Sequence, residues 1–193
     1  GRRSEIITKV ISGTGDVVQK VGEHTFTLPP TAFWQAHHQA LSAYSDLIAQ
    51  WVAGGQYSAE PVGWDLYGGV GALVPALHQA LGNKSHIHSV ESARVMATSG
   101  QVTFGDDVHF HIGLVGNLID ALPQPDVVVL DPPRVGAGAD VVTRIAARKP
   151  QRVIHIGCDP ATFATDIRAW SQAGYHLSDI VVVNAFPGTH HFE

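Results

Sequence analysis

The sequence predicts an α/β protein built on a mostly parallel, doubly wound sheet. Two observations carry that expectation. Short runs rich in Val and Ile alternate with longer segments of helical spacing between residues 61 and 183. That is the pattern of a parallel sheet covered on both faces. Successive apolar runs also end on polar or reactive residues: Asp65-Leu66-Tyr67-Gly68-Gly69-Val70-Gly71, Glu91, Asp131-Pro132-Pro133-Arg134 and Gly157-Cys158-Asp159-Pro160-Ala161. Ligands of open α/β sheets sit beyond the carboxyl ends of the strands, so these residues are expected to share one rim.

The elements follow in order. Residues 1–30 alternate apolar and polar side chains in short pieces, such as Glu5–Val10 and Thr25–Leu28, with glycines between. They read as small antiparallel strands, a β remnant forming the tail of a preceding segment, with the main domain at 31–193. Pro29-Pro30 punctuates, and a helix is expected from Thr31 or Ala32 to Val52. Strand Pro61–Leu66 runs into the glycine turn. Helix Leu73–Leu81 tolerates Pro75 in its first turn. Strand Ile87–Val90 ends at Glu91. Gln101–Phe104 and Asp107–Ile112 read as strands and Asn117–Ala121 as a short helical piece. The stretch between Glu91 and Val102 leaves room for only a stub of helix. Strand Asp126–Leu130 runs into Asp131, helix Asp140–Ala147 follows, and strand Arg152–Ile156 runs into Cys158. Helix Ala161–Ala173 and strand Leu177–Val183 complete the series.

Composition narrows the class. At 193 residues the chain makes about one domain. A formal net charge of -5 argues against a chain-wide basic surface for nucleic acid, and Arg144, Arg148, Lys149 and Arg152 read as solvated charges. No apolar run reaches the ~18 residues of a membrane span, so no membrane partner is expected. The single cysteine excludes an internal disulfide and a four-thiolate metal site, and a reducing cytoplasm is the expected setting. The twelve histidines include the pairs His86/His88 and His109/His111. No third ligand follows at a familiar spacing and no H-E-x-x-H occurs, so no metal is expected.

The rim residues define a chemistry. The glycine turn lets backbone approach a ligand closely. Glu91 lies 20 positions beyond Gly71 at the end of the next strand, where a carboxylate accepts the two hydroxyls of a ribose. NAD and S-adenosylmethionine (SAM) both carry such a ribose. Asp65 ahead of the turn, and the lack of a full G-x-G-x-x-G, favour the cationic SAM over a pyrophosphate. Asp131-Pro132-Pro133 is a stiff element with few backbone donors, suited to a planar substrate. Cys158 precedes a helix whose dipole favours thiolate, while the adjacent Asp159 carboxylate opposes it.

Together these residues resemble the RNA uracil-5-methyltransferase family, which modifies uridine in transfer and ribosomal RNA. The resemblance covers residues 24–193. It rests on Phe33-Trp34-Gln35, Asp65–Gly71, Val90-Glu91, Leu130–Arg134, Gly157–Thr162 and Phe186–Glu193, of which the last two are the most specific. It implies a Rossmann-like class I SAM-dependent methyltransferase domain and an RNA partner (tRNA or rRNA). By resemblance, Gln35, Tyr67, Glu91 and Asp131 contact SAM, Cys158 is the nucleophile and Glu193 the base, with no metal. Either Phe33 or Trp34 would stack on a base. Departures from the family pattern are Ala72 and His37 where Asn is usual, Gly68 where Cys is common, and Gly157 and Asp159 where Ser and Asn flank the nucleophile. Two other readings remain: a SAM-dependent methyltransferase using Asp131-Pro132-Pro133 on an exocyclic amine, with Cys158 structural, and a SAM- or RNA-binding module without activity.

Overall fold

The computed structural model describes residues 9–189. A hairpin comes first: β1 (Val17–Val21) pairs antiparallel with β2 (His24–Leu28). The main sheet comprises β3 (Val62–Leu66), β4 (His86–Glu91), β5 (Val108–Ile112), β6 (Val127–Leu130) and β7 (Arg152–His155). All its pairings are parallel, in the order β5-β4-β3-β6-β7. The predicted sheet is thus present, with its order reversing between β3 and β6.

Helices cover both faces. On one side α1 (Ala40–Val52), α2 (Val74–Leu81) and α3 (Arg94–Phe104) pack Tyr44, Ile48, Leu77, Met96 and Phe104 against Ile87, Val127 and Val129. On the other, the short α4 (Val115–Leu118), α5 (Ala139–Ala147) and α6 (Pro160–Gln172) pack Val142, Ile145, Ala169 and Trp170 against Trp64, Leu66, Val128 and Leu130. The interior strand β6 is therefore apolar at every position, because both its faces are covered. Each such buried aliphatic side chain contributes roughly 1.5–3 kcal/mol. Phe26 of the hairpin lies in the first of these cores, against the Phe104 ring at 5.8 Å.

Three expectations fail, each for a physical reason. Gln101–Phe104 is not a strand but the last turn of α3, an 11-residue helix where only a stub was expected. Its β-branched Val102 and Thr103 carry strand propensity, but Met96, Ala97, Gly100 and Phe104 form a buried helical stripe, and packing overrides propensity. Residues 31–39 are not helical, and α1 starts only at Ala40. There Trp34 packs on Phe26 and Gln35 reaches Asp131, contacts that an early helix would redirect. Leu177–Val183 forms no strand. It stands off the β7 edge across a cleft of about 410 Å³ lined by Ile154, Ile156 and Phe163. With no ladder to a partner, β-branched composition alone makes no strand.

Gly100 marks where α3 presses on the sheet. A Cβ there would lie 2.4 Å from the Phe110 ring and 2.7 Å from the Val70 carbonyl oxygen. Gly100→Ala is expected to lower stability by about 1–3 kcal/mol through overpacking, measured by denaturant unfolding.

Candidate nucleotide and nucleophile site

Parallel pairing brings the carboxyl ends of β4, β3, β6 and β7 to one edge in that order. Glu91, Tyr67, Asp131 and Cys158 follow one another along it. The ladder continues just past the strands: Gly68 N–H donates to Val90 O at 3.1 Å, Asp131 N–H to Leu66 O at 3.2 Å, and Ile156 N–H to Leu130 O at 2.9 Å. The rim residues are thus held by sheet hydrogen bonds rather than by free loops.

The turn after β3 is conformationally demanding. Tyr67, Gly69 and Gly71 have φ of 61°, 59° and 80°. For Tyr67 this left-handed geometry costs of order 1 kcal/mol, strain that the surrounding ladder sustains. Tyr67 is half-buried; burial first, and the nearby Asp166 carboxylate second, push its hydroxyl above the usual range. Gly68 leaves no room for a larger residue, since a Cβ there would meet Asp65 Oδ2 at 2.2 Å and Ser89 Oγ at 2.4 Å. That contact accounts for glycine where the resembling family often has cysteine.

Asp65 lies beneath the turn, not on it. It is 1% exposed, and Ser89 Oγ donates to its Oδ2 at 3.0 Å. Burial, opposed by the Ser89 bond and aided by Glu91, pushes its carboxyl up to about 7. The half-buried acids Glu91 and Asp131 therefore supply the rim's accessible negative charge. Glu91 Oε2 accepts from Gly69 N–H at 3.0 Å, and its Oε1 from Ala93 N–H at 2.5 Å. It thereby joins the glycine turn to the start of α3.

Gln35 and Asp131 meet across 96 residues of sequence, with Gln35 Nε2 donating to Asp131 Oδ2 at 3.2 Å. Phe33, two residues earlier, is 72% exposed, whereas Trp34 packs on Phe26. Of these two aromatics, Phe33 has the free ring face.

Cys158 is half-exposed at the turn between β7 and α6. Asp159 caps α6, its Oδ1 accepting from the Ala161 and Thr162 N–H groups at 3.0 Å each. These bonds, that from Thr162 first, hold its carboxyl below the usual range. Asp here does the capping work that Asn would do. A Cβ at Gly157 would lie 2.5 Å from Phe163 Cδ2, so the Phe163 ring occupies the space of the usual serine side chain. Glu193 lies outside the described residues.

Sequence reasoning missed Ser89, Asp166 and His155. Asp166 shares the helical stripe of Ala169 and Trp170, but the backbone groups that it binds leave no mark in the sequence. The arginines read as solvated are partly committed: Arg144 Nη2 meets Asp120 Oδ2 at 2.6 Å, and Arg148 Nη2 donates to Leu122 O at 2.6 Å. His88 Nδ1 lies 3.0 Å from His111 Nε2, and His109 stacks on His88. Among the described residues no group of three or more His, Cys, Asp or Glu is arranged to hold a metal ion, and no helix is long and apolar enough to cross a membrane.

A doubly wound parallel sheet with this order, a glycine turn after its central strand and acids on the neighbouring strand ends is the Rossmann-like class I methyltransferase fold. Solved structures share it. TYW2 of M. jannaschii in complex with AdoMet aligns with a TM-score of 0.66 at 12% identity, covering 95% of this chain and 85% of that one. The tRNA (Uracil-5-)-methyltransferase family matches residues 114–193, the stretch holding Asp131 and Cys158. An uncharacterized RNA methyltransferase of Corynebacterium efficiens is 52% identical over 100% of this chain and 47% of its own length. One of Corynebacterium glutamicum is 50% identical over 100% and 48%. The chain spans about half the length of these curated relatives. Over residues 114–193 the chain matches that family's sequence pattern, on the class I fold.

The buried ionisable groups set a pH response. Asp65, neutral at low pH, has a raised carboxyl, so its contribution to stability is present below about 4 and lost as pH rises through about 7. Asp65→Asn keeps the Ser89 bond and is expected to remove that loss, up to about 4 kcal/mol, in urea unfolding followed from pH 4 to pH 8.

Proposed function

We propose that this domain belongs to a cytoplasmic SAM-dependent RNA methyltransferase that modifies carbon 5 of uridine in tRNA or rRNA through a covalent adduct on Cys158. The observation that carries the reading is the single rim on which a half-exposed thiol at a helix start stands beside the Gln35–Asp131 pair and the Glu91-bridged glycine turn. The family match over residues 114–193 and the RNA methyltransferase names of the relatives support it. Residues 1–30 belong to the same proposal as the tail of a preceding β-rich segment, with the methyltransferase domain at 31–193.

The residues present fit SAM. Glu91 faces the turn where a ribose would lie and retains acceptor capacity beyond its backbone bonds. Tyr67, Gln35 and Asp131, grouped around the switch between β3 and β6, would supply its further contacts. Two half-buried carboxylates suit a ligand bearing an ammonium and a sulfonium. Bound there, SAM supplies the electrophilic methyl group that carbon 5 takes.

Uracil carbon 5 is a weak nucleophile, and Cys158 is the means of activating it. The thiolate adds to carbon 6, and the electron pair of the 5,6 double bond becomes available at carbon 5 as an enolate. Once carbon 5 is methylated, its remaining proton must leave. Glu193 takes that proton, the double bond re-forms and the carbon–sulfur bond breaks, restoring the thiolate. The base leaves its stack to reach the rim, and exposed Phe33 offers a surface for stacking.

Incubating the full-length protein with RNA carrying 5-fluorouridine is expected to give a covalent complex, detected by mass, because fluorine cannot be removed as a proton. Cys158→Ala is expected to abolish it, whereas methyl transfer to an exocyclic amine would survive that change. With ordinary RNA, Glu193→Gln is expected to accumulate a methylated adduct, and normal turnover would remove Glu193 from the mechanism. Glu91→Ala is expected to weaken SAM binding by ~1–3 kcal/mol in calorimetry, and unchanged affinity would remove the ribose role.

A further inference from the structure

The segment after Asp131-Pro132-Pro133 crosses from β6 toward α5 and presents Arg134 and Val135 to solvent, Val135 at 80% exposure. It is tied to α6 at two points. Thr162 Oγ1 donates to Arg134 O at 2.8 Å. One turn further along the helix, Asp166 Oδ2 accepts from Ala137 N–H at 2.7 Å and its Oδ1 from Gly138 N–H at 3.0 Å. Asp166 is only 2% exposed, so these are bonds to a desolvated carboxylate, and such charge-assisted bonds are the strong ones. Gly136 closes over the same carboxylate with φ of 79°, where a Cβ would lie 2.7 Å from Oδ2.

A buried imidazole stands behind the carboxylate, close to it but beyond hydrogen-bond distance. His155 at the end of β7 has its Nε2 3.6 Å from Asp166 Oδ2. Trp170 Nε1–H donates to His155 Nδ1 at 3.0 Å, which places the proton of the neutral imidazole on Nε2, facing the acid. Burial keeps that ring neutral, pushing it down to about 4. Both strands that frame the active rim are therefore involved. His155 stands three residues before Cys158, and Asp166 eight residues after it, on the helix that the Cys158 turn leads into.

We propose that Asp166 is a positioning residue for the methyl-transfer reaction. Its carboxylate, backed by His155 and Trp170, holds residues 136–138 against α6. Asp131 at the root of the 131–138 segment and Cys158 at the root of α6 then keep one separation, and the Arg134–Val135 face is presented to the target nucleoside at a fixed height. The carboxylate touches no reacting atom. This inference rests on the covalent reading of Cys158. It differs from a capping role alone in predicting that its loss damages chemistry rather than SAM binding, since the Glu91 bond to Gly69 and the Gln35 bond to Asp131 do not pass through Asp166.

The test uses the full-length protein and 5-fluorouridine RNA at saturation, with rates counted per SAM-binding site so that misfolded molecules do not enter. Asp166→Asn leaves one acceptor for two N–H groups. It is expected to slow adduct formation at least about tenfold while SAM affinity stays within about twofold. Amide exchange at Ala137 and Gly138 is expected to rise while that of α6 stays protected. Thr162→Val, on the half-exposed side of α6, cuts the other tie and is expected to slow adduct formation in the same sense. In the double variant the two losses should fall short of multiplying, because both act on one segment. Adduct formation at the unsubstituted rate in Asp166→Asn would overturn the inference. So would a parallel loss of SAM affinity and rate, which marks a purely structural residue. If the unsubstituted protein forms no adduct at all, the covalent reading itself fails, and the exchange result alone still decides whether Asp166 holds the segment.

Discussion

The parallel pairing of β3 with β6 is the constraint on which the site depends. Leu66 faces Leu130 in register, so the turn after one strand and the Asp131 segment after the other leave the sheet side by side. Strand order reverses at that point, and the chains diverge to opposite faces, the place where ligands of open α/β sheets bind. Glu91 flanks it on one side and Cys158 on the other, each one strand out. Shift that register by one residue and β6 would turn its side chains to the opposite faces of a sheet buried on both sides. Core packing thus fixes the rim geometry.

Around that pairing the molecule places its polar groups economically. Three carboxylates do three different things within a short distance. Asp65 is sunk beneath the turn and bonded to Ser89, bracing the backbone. Glu91 staples the turn to α3 and keeps oxygen lone pairs for a ligand. Asp131 takes its orientation from Gln35, a residue that reaches the rim from an irregular segment ahead of α1. Burial is the dominant cause of the raised Asp65 carboxyl.

Much of this was legible in the amino-acid order, and the reasons differ by element. β6 could be read because four consecutive apolar residues end at an Asp-Pro-Pro, a combination with few alternatives. α6 could be read from the helical run Ala161–Ala173 behind Pro160, a residue suited to a first turn, whereas the Asp159 cap emerged only from the structure. α3 was not legible because Val102 and Thr103 favour strands intrinsically, and the deciding fact, Gly100 fitting against the Phe110 ring, is a tertiary one. The irregular path of residues 31–39 was hidden for the same reason, since Gln35 and Trp34 spend their contacts on distant partners. Leu177–Val183 has strand composition, but composition cannot supply a neighbouring edge. Within the site, Gln35, Glu91, Asp131 and Cys158 were readable as strand-end or motif residues. Asp166 and His155 were not, because their partners are backbone groups and an indole brought near only by folding.

The central claim is that the Cys158 thiolate activates carbon 5 of uridine so that its hydrogen is exchanged for a methyl group. Release of tritium to water from RNA labelled at uridine carbon 5, measured with the full-length protein and SAM, tests it most directly. Tritium release equal in moles to methyl transfer, and absent in Cys158→Ala, is the result this account predicts. Methyl transfer without tritium release, or release that persists in Cys158→Ala, would contradict it.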